Sequence, residues 1–211
     1  MKKMFAFTLS EVLVTLSIIG VISALTVPTL MNSYQKKTQV VQLRKVINDV
    51  ANAIDMYITE EGKTKFSATP YYKNSINSIV TQKLKYVKSC AANTTGCFAS
   101  ENYLPIGSGN GAAFQCGGTS YLLANSAAIC LTKNNNGIIT VNVDTNGPDG
   151  PNIGGRDMFE FYVNSTGEIR YCSTGIITGP TCDTEKNGCT GSAIGKGCAG
   201  KLADNAWVMD Y

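Results

Sequence analysis

The sequence predicts an α+β fold in which a long N-terminal helix packs on a C-terminal antiparallel β-sheet whose loops are stapled by disulfides. Three observations predict it. Residues 12–31 run for twenty positions without a charge, and residues 43–58 then repeat apolar side chains at steps of three and four. From residue 121, short apolar runs alternate with Asn- and Gly-rich turns. All eight cysteines lie at or beyond position 90, an even number in a Gly-rich region, as in a disulfide framework. At 211 residues the chain holds one globular domain plus an appendage.

The first element opens on the basic leader Met1-Lys2-Lys3-Met4-Phe5-Ala6, followed by Phe7-Thr8-Leu9-Ser10-Glu11 and the uncharged run. Twenty helical residues span about 30 Å, enough to cross the hydrocarbon core of a bilayer. Lys2 and Lys3 ahead of the run place its start in the cytoplasm and the bulk of the chain outside. A cleaved secretory signal shares this basic start and apolar stretch, with Ile22-Ser23-Ala24 as its cleavage site, and a plain membrane anchor shares the length. Glu11 argues against both. A carboxylate in such a segment costs on the order of 3 kcal/mol and needs a partner. A cut between Ala6 and Phe7 creates one: a free α-amino group one helical turn from Glu11, on the same or a neighbouring subunit.

The run Ala6-Phe7-Thr8-Leu9-Ser10-Glu11-Val12-Leu13 resembles the cleavage and methylation motif of the type IV pilins and type II secretion pseudopilins. The resemblance covers residues 1–31. It implies a type IV pilin-like architecture and removal of residues 1–6 by a prepilin peptidase, with Ala6 where the family usually has Gly. Phe7 becomes the N-methylated terminus and pairs with Glu11 in assembly, and residues 7–31 form first a transmembrane helix and then a filament core. Gly20 and Pro28 match positions where such helices weaken, since Gly costs about 1 kcal/mol in a helix and Pro removes a hydrogen bond. The implied function is that of a structural subunit in a homopolymeric helical filament, a type IV pilus or a relative. The precursor lies in the bacterial inner membrane, an assembly platform there extracts it, and the product is a cell-surface filament. A pseudopilin, a minor pilin or an adhesin-like subunit are the alternatives.

Residues 32–61 continue the helix in amphipathic form. Leu43, Val46, Ile47, Val50, Ile54, Tyr57 and Ile58 make one stripe, and Gly62 after Glu60-Glu61 supplies the stop. Residues 62–211 form the head. Residues 62–119 read as an irregular connection, and strands follow at 121–124, 128–131, 138–143, 158–163 and 169–172, as an antiparallel meander. Residues 174–200 read as a stapled loop and residues 206–211 as a closing strand. Local spacing pairs Cys90 with Cys97, Cys116 with Cys130 and Cys182 with Cys189, which leaves Cys172 for Cys198. Zinc is disfavoured, because the chain has no His and no C-x₂-C pair.

Residues 144–159 crowd Asp144, Asn146, Asp149, Asn152 and Asp157 among turn glycines, a composition suited to a hard cation such as calcium. The loop is not an EF-hand, because Pro148 takes a ligand position and no Glu closes it. Turn geometry alone also accounts for such residues. The pattern D-x-N-G-x-x-G-P-N-x-x-G-x-D-x-F resembles a loop of many pilin-like proteins, some of whose pseudopilin relatives bind calcium nearby. That resemblance implies Asp144, Asn146, Asp149 and Asp157 as ligands, with Asn152 contributing through side chain or backbone.

Other classes find little support. Without His there is no Ser-His or Cys-His nucleophile pair, and neither a G-x-S-x-G elbow nor a phosphate loop is present. The reading is therefore not an enzyme. Loss of Lys2 and Lys3 leaves 16 basic against 15 acidic residues with no basic stripe, so a nucleic-acid partner is unsupported.

Overall fold

A computed structural model describes residues 8–107, 110–172 and 180–211. The chain divides into two units, one reaching Thr38 and one spanning Gln39–Tyr211. The first helix, α1 (Leu9–Glu60), runs through both without interruption at Gly20 or Pro28.

In the first unit, residues 12–31 of α1 carry no charge on any side, and residues 9–35 are all exposed. It is, among the described residues, a helix long and apolar enough to cross a membrane. Five of its hydroxyls do not break that character, because they bond back to their own helix. Thr15 donates to the Val12 carbonyl, Ser17 to Leu13, Thr26 to Ile22, Thr29 to Thr26 and Ser33 to Thr29, at 2.8–3.1 Å. A polar atom satisfied this way needs no water.

In the second unit, α1 buries Val40, Leu43, Val46, Ile47, Val50, Ala53, Ile54 and Tyr57, the expected stripe with Ile58 at its half-buried margin. The helix stops where Gly62 turns left-handed (φ 58°) and the Lys63 amide bonds the Ile58 carbonyl at 2.9 Å.

The stripe packs on an eight-stranded mixed sheet. Its strands are β1 (Tyr86–Cys90), β2 (Leu104–Pro105), β3 (Ser120–Leu123), β4 (Ala128–Lys133), β5 (Ile139–Asp144), β6 (Ile153–Gly154), β7 (Met158–Val163) and β8 (Ile169–Arg170). The order is β1-β3-β4-β5-β7-β6-β2, with β8 also on β7. The expected meander β3-β4-β5-β7-β8 is antiparallel, and the β7-β6-β2 edge adds two short parallel pairings. Alternation sends Ile129, Leu131, Val141, Val143, Phe159 and Phe161 into the core shared with α1. Ala128, Cys130 and Met158 point the other way, into a second core with Phe98, Tyr103 and Cys116. Cys97, Phe98, Ala99, Tyr103, Phe114 and Cys116 thus cover the outer face, and β7 is buried throughout.

The connection 62–119 is more ordered than expected. It holds α2 (Pro70–Asn74), a π turn and β1, because α1 and the hairpins give it fixed partners. Tyr57 donates to the Ser78 carbonyl at 2.7 Å and stacks on Tyr71. Tyr72 donates to the Gly137 carbonyl at the β4–β5 turn.

Three expectations need correction. The C-terminal cysteines pair as Cys172–Cys182 and Cys189–Cys198, while Cys90–Cys97 and Cys116–Cys130 pair as expected. Cys182 lies within α3 (Pro180–Asn187), and seven helical residues rise about 10.5 Å, beyond the ~7 Å that a disulfide bridges. The stretch 174–200 is not a plain loop: α3, a 3₁₀ turn and the start of α4 (Cys198–Asp204) occupy it, residues 174–179 lying outside the described ones. Residues 206–211 form no strand. Ala206 and Trp207 are left-handed (φ 49° and 63°), and the Trp207 amide turns back to the Leu202 carbonyl at 2.7 Å. The indole instead covers the Arg44 guanidinium at 5.3 Å and meets Tyr171 edge-on.

The helix register makes a direct prediction. Leu43→Ala should cost about 2–5 kcal/mol in chemical unfolding of the detergent-solubilised chain, as for a deleted core side chain. Val41→Ala, two residues away on the open face, should change it by under about 0.5 kcal/mol. Equal effects would mean a different buried face.

Candidate functional site

Two places carry the polar residues singled out above. The first is the head of α1. Thr8 stands at the N-cap, where its amide and its hydroxyl both donate to Glu11 Oε2, at 2.8 and 2.7 Å. The Glu11 amide returns a bond to Thr8 Oγ1 at 3.3 Å. This is a reciprocal capping box, and it uses the one carboxylate at the start of the apolar helix. The signal was present in the sequence as Thr8-Leu9-Ser10-Glu11, a T-x-x-E pattern, and it is a local partner for Glu11 that the sequence reading did not weigh. Ala6 and Phe7 lie outside the described residues.

The second is the acidic loop between β5 and β7. The antiparallel ladder extends one step past the strands, the Thr145 amide bonding the Asp157 carbonyl at 2.9 Å, so residues 146–156 form the excursion. Asp144 ends β5 on its outer face and is fully buried, as is Asp157. Asp144 Oδ2 accepts from the Tyr103 hydroxyl at 2.5 Å, and Oδ1 from the Asn146 amide at 3.1 Å. Asp157 accepts the Asn152 amide at 2.8 Å and the Ile153 amide at 2.6 Å, which ties the end of the loop back on itself.

The two carboxylates sense each other. Burial pushes Asp144 well above the usual carboxylate range, and the charge of Asp157 pushes it further. Burial also raises Asp157, against the pull of its backbone bonds. Tyr103 is raised too, by burial first and then by the Asp144 charge.

Three side-chain oxygens of residues 145–152 are buried without a hydrogen bond. Asn152 is 7 % exposed, and its Oδ1 is buried with no hydrogen bond. Asn146 turns its Nδ2 to the carbonyls of Asp149 and Gly150, and its Oδ1 is left buried and unbonded, as is Thr145 Oγ1. Each such atom costs about 1–3 kcal/mol. Asp149 is exposed at the tip. Among the described residues no three of His, Cys, Asp and Glu converge to hold a metal by themselves. A cation here would take two carboxylates, Asp144 and Asp157, and complete its shell with amide and carbonyl oxygens, which is the donor chemistry of calcium. The donor set fits the ion in kind.

The sequence reading missed Tyr103. It falls in the stretch read as irregular, and no periodicity marks it. Two other carboxylates of the head have partners of their own: Glu160 is held by Asn142 and Tyr162, and Glu168 by Asn164, Thr166 and Arg170. No family model, curated protein or solved structure matches the chain.

A pH dependence follows from the buried pair. A raised native pKa means that the folded state binds protons the unfolded state releases. The associated stability is present at low pH and is lost as pH rises through the native values. In chelator, the melting temperature should therefore rise between about pH 7.5 and about pH 5, and Asp144→Asn should flatten that slope. An identical slope in the variant would remove the pair as its source.

Proposed function

We propose that the chain is a structural subunit of a helical filament of the type IV pilus class, made as an inner-membrane precursor. The observation that carries this reading is α1. Residues 9–31 of it are apolar nearly throughout, bond the hydroxyls of Thr15, Ser17, Thr26 and Thr29 to their own backbone, and bear one carboxylate, at the head. Such a surface is stable only in lipid or against other copies of itself. Glu11 in the capping box also lies one turn from the terminus that a cut after Ala6 would expose, so the same carboxylate can recruit the amine of a neighbouring subunit. The prepilin peptidase and the assembly platform are the partners this route requires. The four disulfides suit a head that works outside the cytoplasm. Pilins and pseudopilins share this logic, and the reading covers both.

The test is the composition of filaments sheared from cells. Intact mass should show a chain beginning at methylated Phe7 with all eight cysteines oxidised, and Glu11→Val should abolish filaments while the chain accumulates in the membrane. A chain that retains Met1, or filaments at normal yield from the variant, would remove the reading.

The acidic loop is proposed, within the same reading, to hold calcium through Asp144, Asn146, Asn152 and Asp157, with Asp149 at its rim. Bound there, the ion would supply positive charge to two buried carboxylates. At about a hundred times its dissociation constant, calcium adds about 2.7 kcal/mol, or roughly 5–10 °C in melting temperature. A melting curve unmoved between excess chelator and excess calcium would sink this part alone.

A further inference from the structure

The far wall of the acidic loop is the C-terminal disulfide segment. Gly155 is left-handed (φ 85°), and a β-carbon there would stand 2.5 Å from Cys198 Sγ and 3.4 Å from Cys189 Sγ. The contact is close from the other side as well, since a β-carbon at Gly195 would strike the Met158 carbonyl oxygen and one at Gly154 the Ser192 carbonyl oxygen. Two backbones therefore touch, with glycine on both faces and the Cys189–Cys198 bridge behind. Further bonds close the ring: the Gly107 amide to the Thr190 carbonyl at 2.9 Å, the Leu104 amide to the Asn152 carbonyl at 2.9 Å, and the Tyr211 hydroxyl to the Gly155 carbonyl at 3.1 Å.

This wall presses on the turn that sets the proposed ligands. The Arg156 and Asp157 amides both return to the Ile153 carbonyl, at 3.0 and 3.1 Å, and the Asp157 carboxylate reaches back to residues 152 and 153. Residues 152–157 form one hydrogen-bonded turn, and Gly155 is where that turn meets the bridge.

We propose that the Cys189–Cys198 disulfide is a positioning element of the calcium site, so that cation occupancy and integrity of this bridge are thermodynamically coupled. The inference rests on the calcium reading given above. With the bridge intact, residues 189–195 hold the 152–157 turn at the distance that brings Asn152 and Asp157 to Asp144. With the bridge open, the wall relaxes and the ligands spread. Linkage is reciprocal, so a filled site must also hold the bridge closed by the same factor.

Calorimetric titration of the full detergent-solubilised chain with calcium chloride tests the first direction. The Cys189→Ser/Cys198→Ser variant should bind about tenfold more weakly than the native chain, and Gly155→Ala should also weaken binding with the bridge present. Cys172→Ser/Cys182→Ser should leave the constant unchanged. The second direction needs no variant. Dithiothreitol reduces the bridge by thiolate attack on one sulfur, and its second thiol then displaces the mixed disulfide, leaving two cysteine thiols and a cyclic reagent disulfide. After equilibration in mixtures of reduced and oxidised dithiothreitol, alkylation and mass analysis should show saturating calcium shifting the Cys189–Cys198 equilibrium towards the disulfide by about the same tenfold, with Cys172 and Cys182 unaffected. Calcium bound with an equal constant in the folded serine variant, or one dithiol–disulfide equilibrium with and without calcium, overturns the coupling and leaves the calcium site standing. A native chain that binds no calcium overturns both.

Discussion

The burial of one helix face against one sheet face is the constraint on which the head depends. Leu43, Val46, Ile47, Val50 and Ile54 cannot be satisfied by the helix itself, and the inward side chains of β4, β5 and β7 supply the matching surface. Everything else in the head is arranged around that contact. The Tyr57 hydroxyl reaches out of it to fix the connecting segment at Ser78, and Trp207 closes over Arg44 at its border. The opposite side of the sheet is sealed separately, by Phe98, Ala99, Tyr103 and Phe114 with two disulfides, so the central strands are dry on both faces.

The parts of this arrangement that were legible in the sequence are those with a period. The 3–4 spacing from Leu43 to Tyr57 and the runs at 128–131 and 158–163 reflect the geometry of the chain itself, so they survive without knowledge of the partner. Parts that depend on what lies nearby were not legible. The parallel edge β7-β6-β2 rests on one pairing of Gly154 with Met158 and two pairings of β6 with β2, some fifty residues away. The C-terminal cysteine pairing turned on a helix at Pro180–Asn187 whose apolar content is too low to announce it. Trp207 read as strand because an apolar run looks alike whether it is extended or folded back on α4. The T-x-x-E cap at Thr8 was readable, and attention to the charge of Glu11 obscured its local role.

The acidic loop shows a different balance. Its glycines and Asx residues were visible, and so was their suitability for a cation, but the energetic tension was not. Only the structure shows Asp144 and Asp157 buried together, Tyr103 donating to one of them, and Asn152 left with an unbonded oxygen. Natural folds seldom keep several such costs in one place without a compensating partner, which is why this loop draws more interest than the other polar clusters on the head.

The back-bonded hydroxyls of the N-terminal half of α1 carry one more consequence. Because Thr15, Ser17, Thr26, Thr29 and Ser33 complete their hydrogen bonds inside the rod, none of these bonds depends on what surrounds it. The rod can exchange acyl chains for neighbouring rods, or the reverse, without breaking one of them. Its environment is then chosen by packing and by the charge at its tip alone, and passage between two apolar solvents becomes nearly reversible.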